Sequence, residues 1–225
     1  MRANSLSRVI EESFKLHSIP YKVYGGFKFY DRKEIKDFIS YLRMAVNPFD
    51  NDAILRNLNN PARGIGDTTI SKLKAFASSK SMNLYSALAD IEKSGLPNAA
   101  ITRLKQFRDI MMDLIEKSSQ MIATAFSKYV LFKSGFLDAY SHGTDEEMNR
   151  LENMKELCSS IDEFAKTNQG ASISDYLQSV SLLSDTDDMT DDNLVTVATI
   201  HAVKGLEFDN VFVIACEENI FPSAM

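Results

Sequence analysis

The sequence predicts a mostly α protein with a small α/β part, in which a long helical block is inserted into a sheet. Three observations predict it. A Val- and Tyr-bearing run, "YKVYGG", lies near the start, and two Val/Ile-rich runs, "NLVTVATI" and "NVFVIACEE", lie near the end. The roughly 160 residues between them carry helical periodicity. A lone strand at either end cannot satisfy its backbone hydrogen bonds, so head and tail are expected to join one sheet.

Each element follows from local signals. "SLSRVIEESFKLH" reads as a helix over Ser5 to His17, stopped by the Ile19-Pro20 pair and followed by the first strand. "DRKEIKDFISYLRMAV" places Ile35, Phe38, Ile39, Leu42 and Val46 on one helical face, with a capping-box-like start at Asp31 and Glu34 and a stop at Pro48. Further helices are expected at about Asp52 to Leu58, Thr69 to Ser78, Leu84 to Glu92, Asn98 to Lys117 and Met121 to Phe132. In the Asn98 helix, Ile101, Leu104, Met111, Leu114 and Ile115 form the apolar stripe. Thr144 and Glu147 have capping-box spacing at the head of a long helix whose stripe runs Met148, Leu151, Met154, Cys158, Ile161, Phe164. "ASISDYLQSVSLL" gives a last helix, and "SDTDDMTDD", with five aspartates and no basic residue, reads as a solvated linker.

Composition narrows the class. A chain of 225 residues, 44% hydrophobic, can fill a core without staples. The two cysteines, Cys158 and Cys216, lie in apolar helix and strand patterns without ligand partners at metal spacing, and are expected to be buried small hydrophobes of a reducing compartment. No apolar stretch approaches a membrane span, and "MRANSLSR" lacks the apolar core of a signal peptide. Net charge is -6, which argues against a general nucleic-acid binder, but the charge is divided. Residues 1–80 hold 14 Lys and Arg against 8 Asp and Glu; the rest of the chain holds 11 against 23. That suggests one face for an anionic partner, or else an ordinary solvated helix surface.

No phosphate loop G-x-x-x-x-G-K-[ST], no H-E-x-x-H, no C-x-x-C and no G-x-S-x-G elbow occurs, so no catalytic or metal-ligating set is expected. His17 and His142 read as surface or helix-end residues. "NPARGIGDTTISKLKAF" is more informative. Gly64-Ile65-Gly66 between two helices, with Asp67 and Thr68 at the second helix start, matches the hairpin of a helix-hairpin-helix. Glycines let the backbone come close to a ligand, helix-start amides favour an anion, and Arg63, Lys72 and Lys74 add positive charge for a phosphate backbone. The alternative is a plain glycine turn. In "TIHAVKGLEF", Gly205 permits a tight turn, His201 and Lys204 can reach phosphate or base, and Glu207 offers a carboxylate suited to ribose hydroxyls. Taken alone, the stretch also fits a salt-bridged strand connection.

Beyond these readings, "VTVATIHAVKGLEFDNVFVIACEENIFP" closely resembles motif V and its continuation in the UvrD/Rep/PcrA family of superfamily I DNA helicases, where T-[LM]-H-x-[AS]-K-G-L-E-[FW] is typical. "RANSLSRVIEE" and "IPYKVYGGFKFYDRKEIKDFISYLRMAVNPFDN" resemble two further segments of that family, and "RGIG" falls where the family has its duplex-contacting hairpin. The resemblance is dense over residues 2–79 and 194–222 and sparse between, apart from "RLENMKEL". Leu6, Val203 and Asn219 depart from the usual pattern.

The resemblance implies a partial RecA-like parallel sheet, the 2A domain, over residues 1–26 and 193–225, interrupted over 27–192 by a helical 2B domain. It implies that Glu207 approaches the ATP ribose and that Lys204 either meets the nucleotide side or braces the loop. Arg2, Arg8, Thr199 and His201 would line a single-stranded DNA track, and Arg63, Gly64, Ile65, Gly66 and Thr68 the duplex-contacting hairpin. The implied parent is an ATP- and Mg-dependent 3'–5' DNA helicase of bacterial repair or replication, cytoplasmic and nucleoid-associated, with repair or replication proteins as possible partners and no membrane association. This chain would be a part of it, binding duplex and single-stranded DNA and coupling ATP state to DNA grip, without ATPase activity of its own because the phosphate loop, metal motif and arginine-bearing motif have no counterpart in the sequence. A regulatory or autoinhibitory protein-binding module of the same helicase is the alternative. A helix-hairpin-helix glycosylase would need a catalytic aspartate or lysine after the hairpin, and none is convincing.

Overall fold

Strands from the head and the tail of the chain pair as expected. β1 (Tyr21–Tyr24) and β2 (Val195–Ala198) form a two-stranded parallel sheet, with Tyr21 opposite Val195 and Tyr24 opposite Ala198. The structure, a computed structural model, describes residues 7–184, 194–214 and 216. These are mostly helical, with the small sheet as the described β structure.

The chain divides into two compact units, residues 1–35 with 179–225, and residues 36–178. In the first, α1 (Ser7–Leu16) supplies Ile10 and Phe14 to a small core around Tyr21 and Val197, joined by Val23 and Ile214. Phe14 and Tyr21 meet ring to ring at 5.7 Å. A polar network fixes the turn after β1. The buried Glu11 carboxylate accepts from the Phe29 amide (2.9 Å) and the Tyr21 hydroxyl (3.2 Å), while Arg32 donates to Ser7 Oγ (2.6 Å) and lies over the Phe29 ring. Burial lowers the Arg32 pKa, and the Glu11 and Glu34 carboxylates oppose that shift. Residues Phe29–Asp31 form a 3-10 turn, so α2 (Lys33–Val46) starts two residues beyond Asp31.

The second unit is built of helices. α2 continues into it and buries Phe38, Tyr41, Leu42 and Met44, whereas Val46 is exposed. This burial covers more of the helix than the single stripe expected: Ser40 and Tyr41 bond Asn57, and the Tyr41 ring packs on Phe136. α3 (Asn51–Asn57), α4 (Asp67–Ser79) and α5 (Leu84–Ala89) follow. Asp50 and Asn83 cap α3 and α5 by accepting from the Ala53 and Ser86 amides. A 3-10 turn over Ile91–Ser94 leads to the long α6 (Asn98–Gln120), whose stripe is Leu104, Phe107, Met111 and Leu114. α7 (Ala123–Lys133) and the short α8 (Phe136–Tyr140) come next. α8 was not expected: Gly135, in the left-handed region at φ 87, starts a helix of five residues, too short for periodicity to register. α9 (Asp145–Thr167) has the complete capping box at Thr144 and Glu147, and buries Leu151, Met154, Cys158 and Ile161, while Met148 is exposed. α10 (Ile173–Ser184) is the last helix described.

Two expectations need correction. The run "NVFVIACEE" forms no strand among the described residues; Val211, Phe212 and Val213 are exposed, Phe212 at 88%, and only Ile214 packs on the small core. A β-prone pattern becomes a strand only where a neighbour offers a ladder, and β2 is the described partner of β1 alone. For the same reason Cys216, expected buried, is exposed, whereas Cys158 is buried. No described helix is long and apolar enough to cross a membrane. The aspartate-rich linker lies outside the described residues.

Candidate nucleic-acid interface

The connection from α3 to α4 is a hairpin held from inside. Asn59 Oδ1 accepts from the amides of both Arg63 (2.7 Å) and Ile65 (3.1 Å), folding the chain back on itself, and Gly64 takes the turn at φ +69. The Ile65 side chain is buried at 1% exposure and anchors the tip to the core. Gly66 is the N-cap of α4 and provides no side-chain cap. The amides of Gly66, Asp67 and Thr68 have no acceptor among the described residues, while those of Thr69 and Ile70 turn back to the Gly66 carbonyl. Unpaired first-turn amides are the partial positive charge of a helix start. Gly64, Gly66 and Thr68 are exposed, as are Lys72 and Lys74, neither of which pairs with a described carboxylate; the Asp67 carboxylate occupies the same turn.

Arg63 does not face outward. Its Nη1 donates to the Asn57 and Pro61 carbonyls (both 3.0 Å), and its Nη2 donates to the Tyr41 hydroxyl and the Ser134 carbonyl (both 2.6 Å). The guanidinium also lies over the Tyr41 and Phe107 rings. Its four terminal N–H bonds are thereby engaged inside the protein, tying the hairpin to α2, to α6 and to the end of α7. Tyr41, which also donates to the Asn60 carbonyl (2.7 Å), has its pKa raised chiefly by burial, with Arg63 pulling the other way. The cation that sequence reasoning missed is Arg103 of α6, which donates to the Gly64 carbonyl at 2.9 Å. Residues 39 positions apart give no pattern to read; only the fold brings them together.

The second candidate, Thr199 to Phe208, leaves β2 as a turn. The Ala202 amide bonds the Thr199 carbonyl and hydroxyl, Leu206 bonds Val203, and Gly205 sits at φ +86. Gly25, at the end of β1 with φ +73, lets this turn come close: a Cβ there would lie 3.0 Å from the Ala202 methyl. His201, Lys204 and Glu207 are exposed, and no described residue bonds their side chains, so the turn is not a salt-bridged connection among the described residues. Thr199 is half-buried. Arg8 is elsewhere: it is 2% exposed and paired with Glu12 at 2.7 Å, so as placed its side chain presents no donor to an open track. Arg2 lies outside the described residues. Among the described residues no group of three His, Cys, Asp or Glu could hold a metal ion.

A parallel strand pair joining head to tail, a glycine turn bearing His, Lys and Glu, and a helical block with a clamped glycine hairpin together define a class that family comparison makes plain. The chain belongs to the UvrD-like helicase C-terminal domain family, whose model matches residues 1–225. It is 36% identical over 224 residues, 98% of this chain, to the ATP-dependent DNA helicase PcrA of Staphylococcus epidermidis, and 35% identical over the same length to that of Staphylococcus aureus. The chain spans about a third of the length of these curated relatives, 31% of each.

Proposed function

We propose that this chain is the duplex-holding and coupling part of an ATP-dependent 3'–5' DNA helicase acting in repair or replication. In this reading the sheet unit is part of a RecA-like 2A domain, the helical block is 2B, and the α3–α4 connection is a helix-hairpin-helix element. The observation that carries it is the hairpin: exposed Gly64 and Gly66, unpaired amides at Gly66 to Thr68, and unpaired Lys72 and Lys74 beside them. Amides and lysines of this kind bind phosphate without reading sequence. Thr68 adds a hydroxyl at the same turn.

The Thr199–Phe208 turn would be the coupling element. Glu207 is exposed and unpaired, so its carboxylate is available to the hydroxyls of a ribose, and Lys204 would stand on the nucleotide side or brace the turn. Thr199 and His201 would face single-stranded DNA. ATP with Mg supplies the phosphoryl-transfer energy in the intact motor, whose phosphate cradle and charge-stabilising arginines this chain is not proposed to contribute. Because the turn presents groups to both ligands, a change in one contact shifts the other.

Anisotropy titration of a labelled blunt duplex tests the hairpin. The chain should bind at about 50 mM salt and lose most of that affinity by about 200 mM. Reversing Lys72→Glu and Lys74→Glu together should weaken binding at least about tenfold at the lower salt. Binding that survives this charge reversal unchanged, or no binding at all, sinks the reading.

A further inference from the structure

We propose that Arg103, rather than Arg63, is the guanidinium that meets a duplex phosphate at the hairpin, and that Gly64 is the residue that makes room for it. The inference rests on the duplex-binding reading above and deepens it.

The geometry separates the two arginines. All four terminal N–H bonds of Arg63 are spent on Asn57, Pro61, Tyr41 and Ser134, and its ring contacts with Tyr41 and Phe107 hold it inside. Moving it to a phosphate would take a donor from each of the Asn57, Pro61 and Ser134 carbonyls, a cost that a surface contact does not return. Arg103 is exposed and makes one hydrogen bond, from Nη1 to the Gly64 carbonyl at 2.9 Å. No described residue takes its Nε or Nη2, and no described carboxylate pairs with it. One edge of its fork is thus pinned to the hairpin tip, and the other edge, Nε with Nη2, is open in the arrangement that grips two oxygens of a phosphate.

Gly64 sets this pose. A Cβ built there would stand 3.2 Å from Arg103 Nε and 3.3 Å from Cζ. A side chain there would be strained at φ +69 and would make the guanidinium shift by a few tenths of an ångström. Phe107, one helical turn further along α6, is fully buried beneath Arg63, so the same helix that anchors the hairpin base carries Arg103 to its tip. Pinning also reduces the side-chain entropy a free arginine would lose on binding. The ligand this fits is the phosphate backbone of duplex DNA.

The test measures duplex affinity as a function of salt for the unsubstituted chain, Arg103→Ala, Arg103→Lys and the Lys72→Glu/Lys74→Glu pair, with thermal melts to confirm equal folding. Arg103→Ala should weaken binding about fivefold at about 50 mM salt and reduce the slope of log K against log salt by about one. Arg103→Lys should restore the slope but only part of the affinity, because an ammonium lacks the planar two-donor edge that grips two phosphate oxygens. An unchanged slope in Arg103→Ala, with or without lost affinity, overturns the inference: the residue then only props the turn. If the lysine pair weakens binding while Arg103→Ala does not, the inference falls and the duplex reading stands. If the unsubstituted chain binds no duplex, both fall.

Discussion

The hairpin after α3 and the turn after β2 are both glycine turns carrying cations, but they are built on opposite principles. In the hairpin, Asn59 clamps two amides, Ile65 is buried and Arg63 spends its donors on four internal partners, so the protein itself fixes the shape. In the turn that leaves β2, His201, Lys204 and Glu207 have no described partner. One region is shaped by its own internal bonds; the other leaves its ionisable groups exposed and without a described partner. The difference teaches that charge in a motif does not say where the charge is used: Arg63 spends its donors inside the fold, while Lys72 and Lys74 pair with no described carboxylate and Arg103 bonds only the Gly64 carbonyl.

Substitutions can break this contrast. The largest effect is expected from Arg63→Ala, which leaves the Ser134 and Asn57 carbonyls and the Tyr41 hydroxyl short of a donor; urea unfolding should show a loss of about 3 kcal/mol. A loss under about 1 kcal/mol would mean that the hairpin is no more preformed than the turn.

The two thiols give a second contrast. Burial holds the Cys158 pKa at about 11, above its ordinary 9.0, with Ser127 and Lys128 pulling the other way. The raised folded value favours the protonated thiol, so this stability is fully present below about pH 9 and lost as pH rises through about 11. Its loss amounts to about 3 kcal/mol. Urea midpoints of the unsubstituted chain should fall more steeply over that range than those of Cys158→Ala. In the native state a thiol reagent should modify Cys216 quickly and Cys158 only after unfolding.

Gly25→Ala sharpens the account of the turn: strain at φ +73 and the approach to Ala202 should cost about 1 to 2 kcal/mol and speed proteolysis at Lys204. The smallest effect belongs to the unpartnered groups. His201→Ala, Lys204→Ala and Glu207→Ala should each change stability by less than about 0.5 kcal/mol.

Much of the fold was legible because its signals are local. Helical stripes placed α6 and α9, Thr144 and Glu147 gave the capping box, and the need for a strand partner brought Tyr21–Tyr24 to Val195–Ala198. What was not legible depends on distant partners. The Val-rich run at 211–213 reads as a strand, yet a strand is a property of two segments. Arg63 looks like a phosphate ligand until Tyr41, Ser134 and Phe107 are seen around it, and Arg103 looks like any helix-surface charge until Gly64 lies against it. Arg8 reads as a DNA-lining cation, and its buried side chain pairs with the half-buried Glu12.

The most direct test of a preformed, duplex-binding hairpin is amide hydrogen exchange of the chain with and without a blunt duplex. The account predicts that the Arg63 and Ile65 amides, both held by Asn59, are protected without DNA. Added duplex should then slow exchange at Gly66, Asp67 and Thr68 and leave residues 200–206 unchanged. Fast exchange at Arg63 and Ile65 in the free chain, or no slowing at 66–68 under saturating duplex, would contradict it.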